Sequence, residues 1–135
     1  MLGDLIGEEQ GQITAQRVLP SEHGLPPSVE STFQASGTLL GVTISDLGTY
    51  TGTLRPDGTL YGTGTGIIMS ADGASASWQG TGVGVFAEGG AISWRGSIVY
   101  LSDSPAFAAL RGVAGAFEWE TDQSGKAVGK IWPWR

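Results

Sequence analysis

Two charged residues near the N-terminus, Glu9 and Arg17, have the type and spacing needed to stabilise charge in a catalytic site. Residues two apart in a β-strand share a face, and the face holding these two also carries Gly11, Ile13 and Ala15. The opposite face is wholly polar, so we expect the first to be the core side. A buried charge is costly unless it is paired or functional, which makes both residues candidates for charge stabilisation in a catalytic site. Two structural alternatives stay open, since fraying of the strand end would expose Glu9 and a β-bulge would turn Arg17 outward.

A second group of residues has the composition of a small-molecule site. Tyrosine and tryptophan recur at strand spacing beside aliphatic residues, and each combines a large apolar surface with one hydrogen-bond donor. Sites for small organic molecules are mostly apolar with a few such donors. The predicted substrate-binding residues are Tyr50, Tyr61, Trp78, Trp94 and Tyr100. The alternative is that these aromatic residues only fill the core.

Other motifs that carry chemistry are incomplete. The glycine runs that begin at Gly62 and Gly80 lack the third glycine of the dinucleotide-binding motif, and no helix follows either run. The single histidine, His23, lies among glycine and proline, and no nucleophile elbow is present. The carboxylates are dispersed and there is no cysteine. We therefore expect no cofactor and no metal.

The elements that must position these residues are β-strands. Turn-forming residues recur at short intervals between runs of alternating character, as in antiparallel sandwiches and barrels. The predicted strands span residues 9–19, 28–36, 39–54, 59–70, 74–87, 91–101, 112–121 and 126–134. The glycines at 62, 64 and 66 share one face of a strand, and those at 80, 82 and 84 do the same. On the inside of a barrel, such bare faces would either enlarge a pocket or relieve strain.

Length and charge limit the partners. The 135 residues make one domain, 1–135, in which we expect 1–8 to form a flexible N-terminal segment. The net charge is −6 and the basic residues form no stripe, which excludes a nucleic-acid partner. No apolar run approaches the roughly 20 residues that a bilayer requires, and no signal peptide is recognisable. We expect a cytoplasmic protein with no membrane partner.

The C-terminal third resembles a known family. A short helical turn leads into a glycine-rich element and then into the last strands, in the segments Ser104-Pro105-Ala106-Phe107-Ala108-Ala109-Leu110-Arg111-Gly112-Val113-Ala114-Gly115-Ala116-Phe117-Glu118 and Gly125-Lys126-Ala127-Val128-Gly129-Lys130-Ile131-Trp132. The sequence of these two segments resembles that of allene oxide cyclase-like and dirigent-like barrels, including uncharacterised small bacterial proteins of that type. The resemblance implies an eight-stranded barrel, often oligomeric, whose pocket steers cyclisation or coupling of hydrophobic molecules. The cyclases have an acid on the first strand, and Glu9 or Glu8 lies in the comparable region.

These observations predict an all-β protein, a closed eight-stranded antiparallel barrel that forms a homo-oligomer. Its interior is expected to bind one hydrophobic organic molecule and to act on it as a cyclase or isomerase without a cofactor. Two alternatives remain. One is a non-catalytic carrier or sensor of a hydrophobic metabolite, and the other is a filled structural barrel that acts through oligomerisation.

Overall fold

Eight antiparallel strands close into a barrel in a computed structural model that describes residues Met1–Arg135. Each strand pairs with the next along the chain, and the last pairs back with the first, so no strand edge is left open. The strands are β1 Gly7–Leu19, β2 Ser28–Leu39, β3 Val42–Leu54, β4 Leu60–Ser70, β5 Ser75–Phe86, β6 Ile92–Leu101, β7 Ala114–Thr121 and β8 Lys126–Pro133. The predicted closed barrel is confirmed. The only helices are two short 3₁₀ segments, Glu88–Gly90 and Pro105–Leu110, and neither has the length and apolar content needed to cross a bilayer.

Turn chemistry explains most of the strand ends. Gly58 and Gly73 have φ of 85° and 87°, a backbone conformation that glycine adopts freely, and they form the β3–β4 and β4–β5 turns predicted from the sequence. The β2–β3 turn differs from the prediction of a turn at Gly37, because the chain turns at Leu40 and Gly41, with φ of 51° and 76°. Gly37 instead lies inside β2, where a Cβ atom would clash with the backbone of β1.

The N-terminal residues pair with the C-terminus. Gly7, which the sequence prediction places in a flexible segment, belongs to β1. The N–H of Gly3 donates to the carbonyl oxygen of Pro133 at 2.8 Å, and the Met1 amine donates to the carbonyl oxygen of Arg135 at 2.8 Å. The first residues therefore extend the β1–β8 contact beyond the barrel.

The two ends of the barrel are built differently. At one end the Pro105–Leu110 segment caps the interior, since Phe107 and Leu110 are 1% and 2% exposed and belong to the hydrophobic core. Serine hydroxyls hold this segment to β5, because Ser104 Oγ accepts from the N–H of Ser75 at 3.0 Å. At the opposite end, where the β1–β2 and β7–β8 connections lie, a cavity of about 680 Å³ opens to solvent. We call this cavity the mouth.

Glycine faces in the interior make room for aromatic rings. The indole of Trp94 lies across two neighbouring strands, and a Cβ atom on Gly62 or Gly84 would be 2.5 or 3.0 Å from it. The ring of Phe117 would be 3.0 Å from a Cβ atom on Gly82. The bare faces of β4 and β5 are thus filled by side chains from other strands, and an inner cavity of about 80 Å³ remains.

We predict that Gly62→Ala destabilises the barrel and that Gly52→Ala does so far less. Both glycines face Trp94, but the new methyl group would lie 2.5 Å from the ring at Gly62 and 3.4 Å from it at Gly52. Overpacking of this kind costs about 1–3 kcal/mol, whereas ordinary contact costs less than about 1 kcal/mol. Urea denaturation of both variants measures the difference in the free energy of unfolding. Equally small losses in both variants would show that the Trp94 ring moves aside.

Candidate functional site

A pair of carboxyl groups lies inside the barrel. Glu9 projects inward from β1, and Asp46 projects inward from β3, where it is 5% exposed. The two carboxyl groups are close enough for each to shift the pKa of the other. Trp78 Nε1–H on β5 donates to Asp46 Oδ1 at 2.9 Å. Three strands therefore converge on one buried acidic group.

Burial decides the protonation of this pair. It raises the pKa of Glu9 to about 9, and the charge of Asp46 and the hydrogen bond between the two groups add to the rise. Burial also raises the pKa of Asp46, but hydrogen bonds from Glu9 and Trp78 oppose that rise. Glu9 therefore keeps its proton at neutral pH, and Asp46 accepts a hydrogen bond from Trp78. No ion pair of the structure includes either residue.

Aromatic rings surround the carboxyl pair. The rings of Phe33 and Trp119 are 4.6 Å apart between centroids, and those of Tyr50 and Trp94 are 5.9 Å apart in an edge-to-face arrangement. Trp119 Nε1–H donates to Tyr50 Oη at 3.4 Å. Burial raises the pKa of Tyr50, although hydrogen bonds with Trp119 and Ser31 oppose the rise. This apolar shell lowers the local dielectric constant and so strengthens the electrostatic interactions of the acidic group.

Two donors in this shell have no partner. Trp94 Nε1 and Tyr100 Oη are buried without a hydrogen bond, although Trp78 and Trp119 both have partners. Burial raises the pKa of Tyr100, and the nearby carboxyl groups Glu9 and Asp46 raise it further. The phenol therefore stays a neutral donor. Unpartnered buried donors are rare in folded proteins, because each forfeits its hydrogen bond to water.

The inner cavity lies among these groups. Its volume of about 80 Å³ exceeds the space that one water molecule needs. Glu9, Asp46 and Tyr100 border it on the side away from the mouth. Tyr50 and Trp94 border both the inner cavity and the mouth, so these two side chains separate the carboxyl pair from the open end.

Most of the residues selected from the sequence line this cavity. They are Glu9, Tyr50, Trp78, Trp94 and Tyr100. Their inward orientation follows from strand alternation, and the pairing of β3, β5 and β6 with their neighbours contains no bulge that would interrupt it. Arg17 and Tyr61 are not among them.

The inward orientation predicted for Arg17 is wrong. The β1–β2 register shifts between Ile13 and Ala15, and this bulge moves the following residues to the opposite face. The Arg17 side chain is 70% exposed and its Nη2 lies 3.3 Å from Glu30 Oε2. The bulge that the sequence left open as an alternative is present, and Arg17 has no place in the interior.

The inward orientation predicted for Tyr61 is also wrong. Tyr61 is 44% exposed on the outer face of β4, together with Ile67 and Met69. Its neighbour Gly62 faces Trp94 inside the barrel. Adjacent residues of a strand point to opposite faces, so an inward glycine run and an inward Tyr61 are incompatible.

Sequence reasoning missed three residues of the site: Asp46, Phe33 and Trp119. Asp46 lies two residues from the aliphatic Ile44 and four from Tyr50, so all three share one face of the third strand. The same alternation would have placed Asp46 inside. Phe33 and Trp119 each lie on an alternating strand, but nothing in the sequence shows that their rings meet.

Comparisons with known proteins identify the fold. No protein-family model matches the sequence, and no curated protein matches it either. Two crystal structures share the architecture. A protein of unknown function from Clostridium acetobutylicum ATCC 824 is 12% identical with a TM-score of 0.82, covering 96% of each chain. A conserved protein of unknown function from Rhodopseudomonas palustris is 12% identical with a TM-score of 0.81, covering 98% of this chain and 97% of that one. The chain therefore has the small β-barrel fold of these proteins, and the resemblance to allene oxide cyclase-like barrels remains a prediction.

Proposed function

We propose that the barrel binds a small organic molecule and that the Glu9–Asp46 pair transfers a proton within it, as in an isomerase or cyclase that uses no cofactor. The observation that carries this proposal is a pair of carboxyl groups inside an aromatic cavity, where burial raises the pKa of both. Buried ionisable groups with shifted pKa values concentrate at functional sites. A purely structural core would be better served by apolar residues at both positions.

The two carboxyl groups are suited to opposite tasks. Asp46 accepts from Trp78 Nε1–H, and its hydrogen bonds oppose the rise of its pKa, so it is the candidate general base. Glu9 keeps its proton at neutral pH and is the candidate acid. Pairs of titratable groups whose surroundings separate their pKa values divide acid and base roles in this way.

The molecule would enter from the mouth. Tyr50 and Trp94 lie between the mouth and the inner cavity, and their rings offer apolar contact to a molecule that reaches the carboxyl pair. Trp94 Nε1 is a free donor at this boundary. The inner cavity suits a small reacting group, and the wider mouth suits the rest of the molecule.

A non-catalytic carrier is the second candidate. The larger of the two cavities is the mouth, where Leu54, Leu60 and Phe86 add apolar surface at a distance from the carboxyl pair. A carrier would bind an apolar molecule there and leave it unchanged. Binding without conversion therefore separates this candidate from the enzyme.

Proton transfer is testable with 5-nitrobenzisoxazole, an apolar probe with one acidic C–H bond. A base that takes this proton breaks the N–O bond of the probe and releases a coloured phenolate. We expect the protein to accelerate this reaction and Asp46→Asn to lose about a hundredfold or more of the rate. Asparagine retains an oxygen that accepts from Trp78, so the fold of this variant is expected to be intact.

Asp72→Asn is the matched control, because Asp72 is an exposed carboxylate in the β4–β5 turn. Its rate is expected to equal that of the wild type. Equal rates for Asp46→Asn and the wild type would contradict the proposed base. Binding of the probe without any release of phenolate would favour the carrier.

Homo-oligomerisation and a cytoplasmic location stay predictions. Support for association comes from apolar side chains on the outer wall, where Leu47 on β3 is directly opposite Ile67 on β4. These residues are 51% and 55% exposed, and Leu101 on β6 is 78% exposed. Exposed apolar surface of this kind is frequent where subunits meet.

A further inference from the structure

The phenol of Tyr100 is a second polar group in the inner cavity, and no contact within the chain uses it. Tyr100 lies at the end of β6, and its Oη is buried with no hydrogen-bond partner. The other interior tyrosine, Tyr50, accepts a hydrogen bond from Trp119. Because a buried hydroxyl without a partner forfeits its hydrogen bond to water, Tyr100 is positioned for an acceptor that arrives from outside the chain.

The position of Tyr100 relates it to the proton-transfer pair. It borders the same cavity as Glu9 and Asp46, and the two carboxyl groups are close enough to act on its ionisation. Their negative charge keeps the phenol protonated, so it donates a hydrogen bond and does not itself take up a proton.

The charges around the inner cavity limit which hydrogen-bond acceptor can bind to the Tyr100 phenol. As the proposed base, Asp46 is negatively charged before it takes up a proton. The arginines Arg17 and Arg95 are paired with carboxylates on the outer wall. Lys130 contributes to the lining of the inner cavity, but it is half-buried and lies opposite two carboxylates, Glu8 on β1 and Glu118 on β7. An anionic group would be repelled by Asp46 in a medium of low dielectric constant. A neutral acceptor, such as a carbonyl oxygen, fits the site better.

We propose that the substrate is a neutral carbonyl compound with an acidic C–H bond beside the carbonyl carbon, and that Tyr100 Oη–H donates to its carbonyl oxygen. This inference rests on the proposed function, since Asp46 is the base. The C–H bond breaks and its proton moves to a carboxylate oxygen of Asp46. The electron pair of that bond forms a C=C bond, and the C=O π pair moves to the oxygen held by Tyr100.

Return of the proton completes the reaction without a redox partner. In an unsaturated ketone whose C=C bond is one carbon removed from conjugation, Asp46 returns the proton to the far carbon of the enolate. The double bond then lies beside the carbonyl group, and every atom of the substrate is retained. Tyr100 stabilises the oxygen most strongly when that oxygen is negative, which is the requirement for lowering the barrier.

The phenolate of 4-nitrophenol tests this inference, because its oxygen resembles that of an enolate. In the enolate complex Asp46 is protonated, and asparagine at this position imitates that state. We expect Asp46→Asn to bind 4-nitrophenolate about tenfold or more tightly than the wild type. Adding Tyr100→Phe to that variant is expected to weaken binding by about tenfold or more. Absorbance titration of the phenolate measures all three affinities.

Tyr61→Phe, added to Asp46→Asn, is the matched control, because Tyr61 lies on the outer wall. Its affinity for 4-nitrophenolate is expected to equal that of Asp46→Asn alone. The same affinity after Tyr100→Phe would overturn the inference. The thermal midpoint of Tyr100→Phe without ligand is a second measurement, and we expect it to equal or exceed the wild-type value. A clear fall would reveal an internal partner for Oη and also overturn the inference.

The two probes separate the two proposals. If conversion of 5-nitrobenzisoxazole depends on Asp46 but 4-nitrophenolate binds equally well without the Tyr100 hydroxyl, Asp46 is still the base. The hydrogen bond from Tyr100 to a carbonyl oxygen is then rejected. Phenolate binding that depends on Tyr100, with no conversion of 5-nitrobenzisoxazole, would reject proton transfer instead.

Discussion

The free energy of unfolding is expected to fall as the pH rises from about 5 to about 9, because folded Glu9 holds a proton that the unfolded chain has lost. The pKa of Glu9 is about 9 in the barrel, against an ordinary value of 4.5. Between these two pH values the folded state binds one proton that the unfolded chain does not. The stability that this proton contributes is fully present at low pH and is lost as the pH rises to the pKa of folded Glu9. A full proton corresponds to a slope of about 1.4 kcal/mol per pH unit.

The groups that face Glu9 act in the same direction. Asp46 on β3 is the nearest charge, and burial raises its pKa as well, so its own contribution also falls with rising pH. The phenol of Tyr100 on β6 stays protonated across this range, because burial and the nearby carboxyl groups raise its pKa above the ordinary value of a tyrosine. The expected slope is therefore carried by the carboxyl pair.

Glu9→Gln is the variant that tests this pH dependence. Glutamine keeps the length of the side chain and can donate to Asp46, but it does not titrate. We expect urea denaturation at pH 5, 7 and 9 to show most of the slope removed, with the variant more stable than the wild type at pH 9. Glu8→Gln is the control, since Glu8 is exposed on the other face of β1. A wild-type slope in Glu9→Gln would contradict the raised pKa of Glu9.

Removing the ring of Phe107 is expected to cost about 3–5 kcal/mol of the free energy of unfolding. Phe107 is 1% exposed and caps the closed end of the barrel together with Leu110. Phe107→Ala deletes buried apolar surface and opens a cavity beneath the Pro105–Leu110 segment, which Ser102 and Ser104 hold in place. The loss is a large share of the stability of a small domain.

Phe86→Ala is the comparison for this prediction. Phe86 is also a phenylalanine of the barrel, but it lies at the mouth and is 55% exposed. Its replacement is expected to cost less than about 1 kcal/mol. Chemical denaturation of both variants decides the matter, and similar small losses would show that the Pro105–Leu110 segment does not close the barrel.

The amino-acid sequence determined the strands of this protein and most of their inward faces. Turn glycines such as Gly58 and Gly73, and the alternation of Trp94 with Arg95, depend on local backbone and side-chain chemistry, which can be recognised along the chain. Alternation also sufficed to place Glu9 and Tyr100 inside. The spacing of Asp46 from Tyr50 places Asp46 on the same inward face.

Only the tertiary structure decided what these inward residues meet. The bulge between Ile13 and Ala15 that turns Arg17 outward depends on the register of β1 against β2, and a run of alternating residues fits either face once one residue is added. Glu9 and Asp46 lie 37 positions apart in the chain and come together because β1 and β3 both pair with β2, where the intervening residues Ala35 and Gly37 are small. The pairing of β4 and β6 with β5 likewise brings Trp94 onto the bare face of Gly62, so that the interior holds aromatic rings around the two carboxyl groups.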